Sequence, residues 1–205
     1  MKHVMLPAAL AAMAACGAGA AAAQSAGDIT IGLGVGYVEP AGDNGDALDM
    51  DIDVSSSARP TLTLEYFVMD NLGIELLAAT PFRHDVDLDG LGQVAAVSQL
   101  PPTLTLQYHI PTGTAFTPLF GIGINYTTFF DIDEKGAAKG SKLELDDSWG
   151  MALHAGVDYA LNETNAIRAD VRWMDIDSEV KLDGDKVGKA EIDPWVFGVS
   201  WIHKF

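Results

Sequence analysis

The chain ends with the stretch WVFGVSWIHKF at positions 195–205, and this stretch decides the fold. Bulky side chains occupy every second position of it, from Trp195 through Phe197 and Trp201 to Phe205. A period of two is the pattern of a β-strand with one apolar face. The ends of soluble domains usually fray, whereas a barrel in a membrane has to close on its last strand, because an open edge in lipid leaves backbone groups without partners. The stretch therefore predicts the closing strand of a transmembrane β-barrel.

The start of the chain has the features of a secretory signal peptide. A short charged segment is followed by an apolar run over residues 5–15 and by three alanines before Gln24. The run is too short to cross a bilayer, which takes about 20 apolar residues. We expect a signal peptide over residues 1–23 and an outer-membrane β-barrel over residues 24–205. An alanine-rich helix that stays in the mature protein is the alternative.

The composition excludes several functions. Cys16 is the one cysteine, so a mature chain that begins at Gln24 has neither a disulfide nor a catalytic thiol. Residues 13–16 partly resemble a lipobox, and lipidation of Cys16 is therefore a second route of processing. The net charge of −17 argues against nucleic-acid binding, which needs clustered lysine and arginine.

Eight segments alternate with a period of two, and each has about ten residues or more, which is the length of a tilted transmembrane strand. They are residues 29–38, 60–69, 72–81, 98–110, 116–129, 148–161, 166–175 and 192–205. Three links between them are short and four are long, as is the rule for outer-membrane barrels with short periplasmic turns and long outer loops. The pattern predicts an all-β, eight-stranded antiparallel transmembrane barrel with both chain ends on the periplasmic side.

The two faces of these segments differ in polarity. One face is continuously apolar, as at Leu62, Leu64 and Tyr66. The other face carries small and polar residues, as at Thr63 and Glu65. In an outer-membrane barrel the apolar face contacts lipid. A soluble sandwich or lipocalin would place the same two faces the other way round, and alternation by itself does not separate the two classes.

Several stretches resemble the outer-membrane protein W (OmpW) family, which includes alkane-uptake proteins. They follow the family's order over most of the mature chain: DNLGIELLAATPFRH at 70–84, LPPTL at 100–104, GIGINYTTFF at 121–130, DSWG at 147–150, GVDY at 156–159, WMDID at 173–177 and DPWVF at 193–197. The resemblance argues against the soluble barrel. His203 departs from the family's usual aromatic residue such as tyrosine, and residues 39–59 support no comparison at the level of residues.

The resemblance implies a barrel in the Gram-negative outer membrane with a narrow, largely hydrophobic channel for passive uptake of small apolar molecules. It also implies that the substrate leaves sideways through the barrel wall. The expected partners are outer-membrane lipid and lipopolysaccharide, the barrel-assembly machinery and small apolar solutes, with no cofactor. A structural or receptor-like surface protein with a closed lumen is the alternative function. An enzyme is not expected, because no nucleophile and base pair up in the sequence.

Apolar residues on the otherwise polar inward face are candidates for the channel lining, because lipid contact does not explain them. The candidates are Phe67, Leu77, Leu119, Val196 and Ile202, with Phe82 and Phe130 near the mouth. The alternative is that these residues only fill the interior, as side chains do in eight-stranded barrels. Phe205 ends the closing strand and is the candidate assembly signal.

Charged residues on the inward face predict a polar network in the periplasmic half. Facing carboxylates repel each other unless a cation from across the barrel joins them. The network is interpreted either as a plug that closes the lumen or as plain charge neutralisation. The pairs expected to face each other are Asp158 and Arg168, His154 and Arg172, and Glu65 and Glu75.

No catalytic or metal-binding constellation stands out. His109 and His154 are single interior histidines, and the G-x-G-x-G run at 32–36 is expected to make room in a tight barrel, since no helix follows it. The D-x-D-x-D-G run at 85–90 opens like a calcium loop, but its twelfth position is Ala96. This run and the aspartates of residues 49–53 either bind divalent cations shared with lipopolysaccharide or form solvated outer loops.

Overall fold

The computed structural model describes residues 24–205, which form one antiparallel sheet of 15 strands. No helix in this part of the chain is long and apolar enough to cross a membrane. A 3₁₀ turn at Gly136–Ala138 joins β9 to β10. The strands are β1 Ile29–Glu39, β2 Gly45–Ala47, β3 Met50–Val54, β4 Ser57–Met69, β5 Leu72–Ala79, β6 Phe82–Leu88, β7 Gly92–Leu100, β8 Thr103–His109, β9 Phe116–Glu134, β10 Leu143–Leu145, β11 Ser148–Ala160, β12 Asn165–Met174, β13 Asp177–Leu182, β14 Asp185–Glu191 and β15 Trp195–Lys204.

Eight of these strands close into a ring in the order β9, β11, β12, β15, β1, β4, β5 and β8, and β8 pairs back onto β9. The C-terminal strand β15 closes the ring, because it pairs with β1 from Lys204 opposite Thr30 to Trp195 opposite Glu39. The prediction of an eight-stranded antiparallel barrel closed by the last strand is confirmed.

The polarity of the ring is that of a membrane barrel. Leu62 and Leu64 on its outer face are each 47% exposed. Glu65, on the inward face of the same strand, is 1% exposed. A soluble sandwich would bury the leucines and expose the glutamate, because apolar burial is the main favourable term in water. The arrangement found here puts apolar side chains where lipid tails replace water.

The four long links are built largely from strands. β2, β3, β6, β7, β10, β13 and β14, together with the end of the 19-residue strand β9, continue the wall beyond the membrane part of the ring. We call this the outer extension. Its strands bury their alternate apolar residues against one another as a cluster that includes Ile52, Leu88, Val94 and Val180. Apolar alternation in the links therefore serves a second core.

One predicted strand is interrupted. Residues 98–110 form the end of β7 and the whole of β8, separated by Pro101 and Pro102. β5 and β8 pair up to Leu77 opposite Thr103, and pairing resumes between β6 and β7 at Phe82 opposite Gln99. Proline has no backbone N–H to donate to a ladder. The wall therefore contains a break in backbone pairing between these two registers, which we call the proline break.

The glycines of β1 allow close packing inside the barrel. A Cβ atom on Gly32 would lie 2.2 Å from Thr63 Oγ1, and one on Gly34 would lie 2.5 Å from Ser200 Cβ. Both distances are too short for real contacts, so the interior at this level has no room for side chains on β1. The glycine run thus makes room in a tight barrel.

Candidate functional site

The periplasmic half of the barrel interior contains a group of buried ion pairs around Arg168 on β12. The guanidinium donates to both carboxylate oxygens of Asp158 at 2.7 and 3.0 Å and to Glu75 Oε2 at 2.7 Å. Its Nη2 also lies 3.6 Å from Glu65 Oε2. Antiparallel register sets Glu65 opposite Glu75, and Arg168 reaches these two carboxylates from the other side of the barrel. One cation thus offsets the repulsion between facing acids.

A second cation and two histidines complete the group. Arg172 Nη2 lies 2.9 Å from Glu75 Oε1, and Arg172 Nε lies 3.1 Å from Asp170 Oδ2. His109 Nε2 lies 2.9 Å from Glu65 Oε1, and His154 Nε2 lies 3.3 Å from Asp170 Oδ2. We call these residues the ion-pair cluster: Glu65, Glu75, His109, His154, Asp158, Arg168, Asp170 and Arg172.

The ion-pair cluster is buried and links opposite sides of the barrel wall. Arg168 is 2% exposed, and Glu65 and Glu75 are exposed by no more than 1%. The sequence identified six members of the cluster but not Asp170 or His109. Asp170 precedes Arg172 by two residues on the same inward face, and this spacing is the signal that would have pointed to it.

A small apolar cavity of about 20 Å³ lies inside the barrel, between the ion-pair cluster and the outer extension. This inner cavity has space for roughly one water-sized molecule. It borders the proline break, since Phe82, Gln99 and Pro101 are part of its wall. Five other apolar residues that pack here belong to one buried cluster: Val38, Leu77, Met174, Ile176 and Val196.

A larger cavity of about 130 Å³ occupies the outer extension. Every residue of this outer cavity's lining is apolar except His84 and Gln99. Leu48 and Leu91, at the tips of the β2–β3 and β6–β7 hairpins, line it while being 51% and 47% exposed. The cavity therefore reaches the surface through an apolar rim.

The predicted lining residues fall into two groups. Leu77, Phe82 and Val196 line the inner cavity. Phe67, Leu119 and Ile202 face inward and are buried, but beside the ion-pair cluster: the Phe67 ring lies 5.0 Å from the His109 ring, Leu119 is opposite His109 in the ladder, and Ile202 shares a small periplasmic pocket with Asp158. None of these three lines either apolar cavity.

Phe130, predicted near the mouth, is half-buried, and its neighbour Phe129 lines the outer cavity in its place. Phe129 follows the buried residues Asn125 and Thr127 at intervals of two, so the alternation of β9 itself puts Phe129, and not Phe130, on the inward face. Most of the outer cavity comes from the long links, whose inward residues the sequence did not identify. The short alternation over residues 86–97 was the available signal.

The acidic outer runs do not converge on a common point. Asp53 and Asp87 are cross-strand neighbours on β3 and β6, whereas Asp85 contacts Gln93 and lies 3.7 Å from Lys135. Among residues 24–205, the one group of carboxylates close enough together for a shared cation is Asp175, Asp177 and Asp193 near the outer ends of β12 and β15. Asp177 already pairs with Lys189 at 2.8 Å.

Comparison with known proteins extends over nearly the whole described chain. The family model described as OmpW family matches residues 25–205. The chain is 41% identical to Outer membrane protein W of Salmonella typhi over 196 residues, which covers 91% of this chain and 92% of the relative. It is 27% identical to Outer membrane protein AlkL of Ectopseudomonas oleovorans over 161 residues, which covers 74% of this chain and 69% of that protein.

A solved structure supports the same grouping. The crystal structure of the outer membrane protein OprG from Pseudomonas aeruginosa superimposes with a TM-score of 0.79 at 39% sequence identity, covering 89% of this chain and 97% of that one. These relatives are outer-membrane barrels rather than enzymes. The similarity places the present barrel in the outer membrane of a Gram-negative cell.

Proposed function

The chain belongs to the OmpW family of outer-membrane β-barrels, and on that premise we propose that it is a narrow passive channel for small hydrophobic molecules. The observation that carries the proposal is the outer cavity, whose lining is apolar except at His84 and Gln99 and whose rim reaches the surface. Lined predominantly by apolar groups with a few polar ones, such a cavity has the make-up of a small-molecule site.

The lower end of the barrel favours apolar solutes over ions and water. The ion-pair cluster crosses the lumen, and its carboxylates contact Arg168 and Arg172 where both are buried from water. An eight-stranded barrel has an interior only wide enough for side chains or one small ligand. A solute that enters the outer cavity therefore has no aqueous path straight down to the periplasm.

The proline break offers the alternative exit, sideways into the membrane. It borders the inner cavity through Phe82 and Pro101, and backbone pairing across it is missing between the Leu77 and Phe82 registers. Separating two strands is least costly where no ladder hydrogen bonds have to be broken. The proposed route runs from the outer cavity to the inner cavity and through this break into the apolar interior of the bilayer.

The test is uptake of naphthalene by Gram-negative cells that lack their own OmpW-type protein and express this chain or the variant Leu77→Asn. Asparagine has nearly the size of leucine but places an unpaired amide in the inner cavity, which apolar surroundings disfavour. We expect the protein-dependent uptake rate to fall several-fold. The control is Leu161→Asn, the same change at an exposed leucine of a periplasmic turn outside both cavities.

The second candidate is a structural or receptor-like surface protein with a closed lumen. The inner cavity of about 20 Å³ favours it, because this is too small for an aromatic solute without movement of the lining. Uptake no faster than in cells without the protein, with folded barrel present in their outer membrane, would support this candidate and defeat the channel.

A further inference from the structure

Gln99 on β7 separates the two apolar cavities. It is the one residue of the described chain that lines both the outer and the inner cavity. Its side chain is almost fully buried, with 1% of its surface exposed. A solute that passes from the outer to the inner cavity therefore moves past this side chain and comes close to its amide group.

The hydrogen bonds of His84 determine the orientation of that amide. His84 Nδ1 lies 2.5 Å from the carbonyl oxygen of Ser55. A carbonyl oxygen only accepts, so Nδ1 carries the proton, and in the neutral ring Nε2 is an acceptor. Burial lowers the pKa of His84 below its usual value, which favours the neutral ring.

Gln99 therefore turns its amino group toward the histidine. Its Nε2–H donates to His84 Nε2 at 3.1 Å. The amide oxygen, Oε1, then points away from the histidine and has no hydrogen-bond partner within residues 24–205. Buried polar atoms normally have partners, and one without a partner calls for an explanation.

We propose that Gln99 Oε1 is the hydrogen-bond acceptor for solutes passing between the two cavities, and that the preferred substrates are apolar molecules carrying one hydroxyl group, such as phenols and alkanols. The inference rests on the proposed channel function and names its substrate class. A hydroxyl in an apolar cavity has lost its water, and this loss is costly unless the protein offers an acceptor. Here the acceptor lies at the point where the solute is most enclosed.

The test compares 1-naphthol with 1-methylnaphthalene, two solutes of similar size that differ in a hydroxyl and a methyl group. Uptake of each is measured in the same cells, with the rate in cells lacking the protein subtracted. Gln99→Met keeps the length of the side chain and removes the acceptor. The matched control is Gln93→Met, the same change on the same strand outside both cavity linings.

We expect the parent to take up the naphthol faster, and Gln99→Met to reduce the naphthol-to-methylnaphthalene ratio about 3- to 10-fold, the effect of losing one buried hydrogen bond. Gln93→Met should leave the ratio unchanged. Gln99→Leu is the second variant, in case Gln99→Met lowers the amount of folded barrel.

The outcomes separate the inference from the function on which it rests. An equal ratio for the parent and both Gln99 variants, with protein-dependent uptake of both solutes, would overturn the role of Gln99 and leave the channel intact. Protein-independent uptake of both solutes would overturn the channel and the inference together.

Discussion

At the level of single residues, Arg168 is the side chain on which the lower interior depends. It contacts Asp158 and Glu75 at 2.7 Å, and both contacts are closed off from water. Removing one partner of a buried pair leaves uncompensated charge in a low-dielectric environment, which typically costs about 3–5 kcal/mol. The cost is larger than that of any exposed pair on the outer extension, where solvent screens the charges.

We predict that Arg168→Met lowers the free energy of unfolding in lipid vesicles by about 3–5 kcal/mol, measured by urea titration. Arg83→Met is the control, because Arg83 pairs with Asp133 at the surface, where the two side chains are 41% and 63% exposed. That change should cost less than about 1 kcal/mol. Equal losses in both variants would show that burial does not decide the value of the pair.

His84 gives the selectivity a pH dependence. Burial is the main cause of its lowered pKa; Arg59 lowers the pKa as well, whereas the Ser55 carbonyl and Asp85 raise it. When the ring is protonated, Nε2 becomes a donor, and the Gln99 amide turns its oxygen toward it. The unfolded chain binds this proton more readily than the folded one, so acid also weakens the outer extension.

We predict that the preference for naphthol over methylnaphthalene holds at pH 7.5 and falls on acidification with a midpoint below about pH 6.5, the ordinary histidine value, because the folded pKa of His84 is lowered. The ratio of uptake rates measured from pH 7.5 downward is the readout. Gln99→Met should give a flat profile. A decline whose midpoint lies above about pH 6.5, or a decline that persists in Gln99→Met, contradicts the role given to His84.

At the level of elements, β15 closes the ring by pairing with β1. Phe205 directly follows β15 and is 70% exposed, and its backbone N–H donates to Ile29 O at 3.0 Å. The ring of His203 contacts it edge-on at 4.7 Å. The Phe205 side chain therefore adds little burial to the folded barrel, and its aromatic ring is available to another protein at the end of the strand that closes the ring.

We predict that deletion of Phe205 lowers the amount of barrel in the outer membrane and increases periplasmic degradation, while the variant refolded in detergent stays close to the parent in stability. Heat-modifiable mobility in membrane fractions measures assembly. Phe205→Tyr keeps the aromatic ring and should restore normal levels. Unchanged levels after the deletion would rule out Phe205 as the assembly signal.

At the level of the whole molecule, the barrel begins close to the expected cleavage site. The expected signal peptide over residues 1–23 lies outside the described residues, and its removal stays a prediction. The described chain begins at Gln24, whose carbonyl accepts the backbone N–H of Asn71 at 3.0 Å. The segment before β1 is therefore already tied to a periplasmic turn.

We predict that protein isolated from outer membranes has the intact mass of a chain that starts at Gln24, because the three alanines before it form the cleavage site. Mass spectrometry of the purified protein measures this directly. A species that begins with an acylated Cys16 would contradict this prediction and show that the chain is processed as a lipoprotein.

The sequence by itself determined the barrel, its strand number and the direction of its faces. These follow from a period of two and from segment lengths, which are local properties, and the resemblance of seven stretches to one family removed the soluble alternative. Facing pairs next to tight turns, such as Asp158 with Arg168, could also be predicted from the sequence, because a short turn sets the register.

Only the tertiary structure decided how the interior is divided. Arg168 and Glu75 are 93 residues apart, and His84 and Ser55 are 29 apart, so their contacts depend on strand stagger around a closed ring. Register shifts in the outer extension, such as the one between Ala96 and Ser98, change which side chain points inward. Alternation cannot reveal such shifts, because one inserted residue exchanges the two faces of a strand. The division of the apolar interior at Gln99 follows from these long-range contacts.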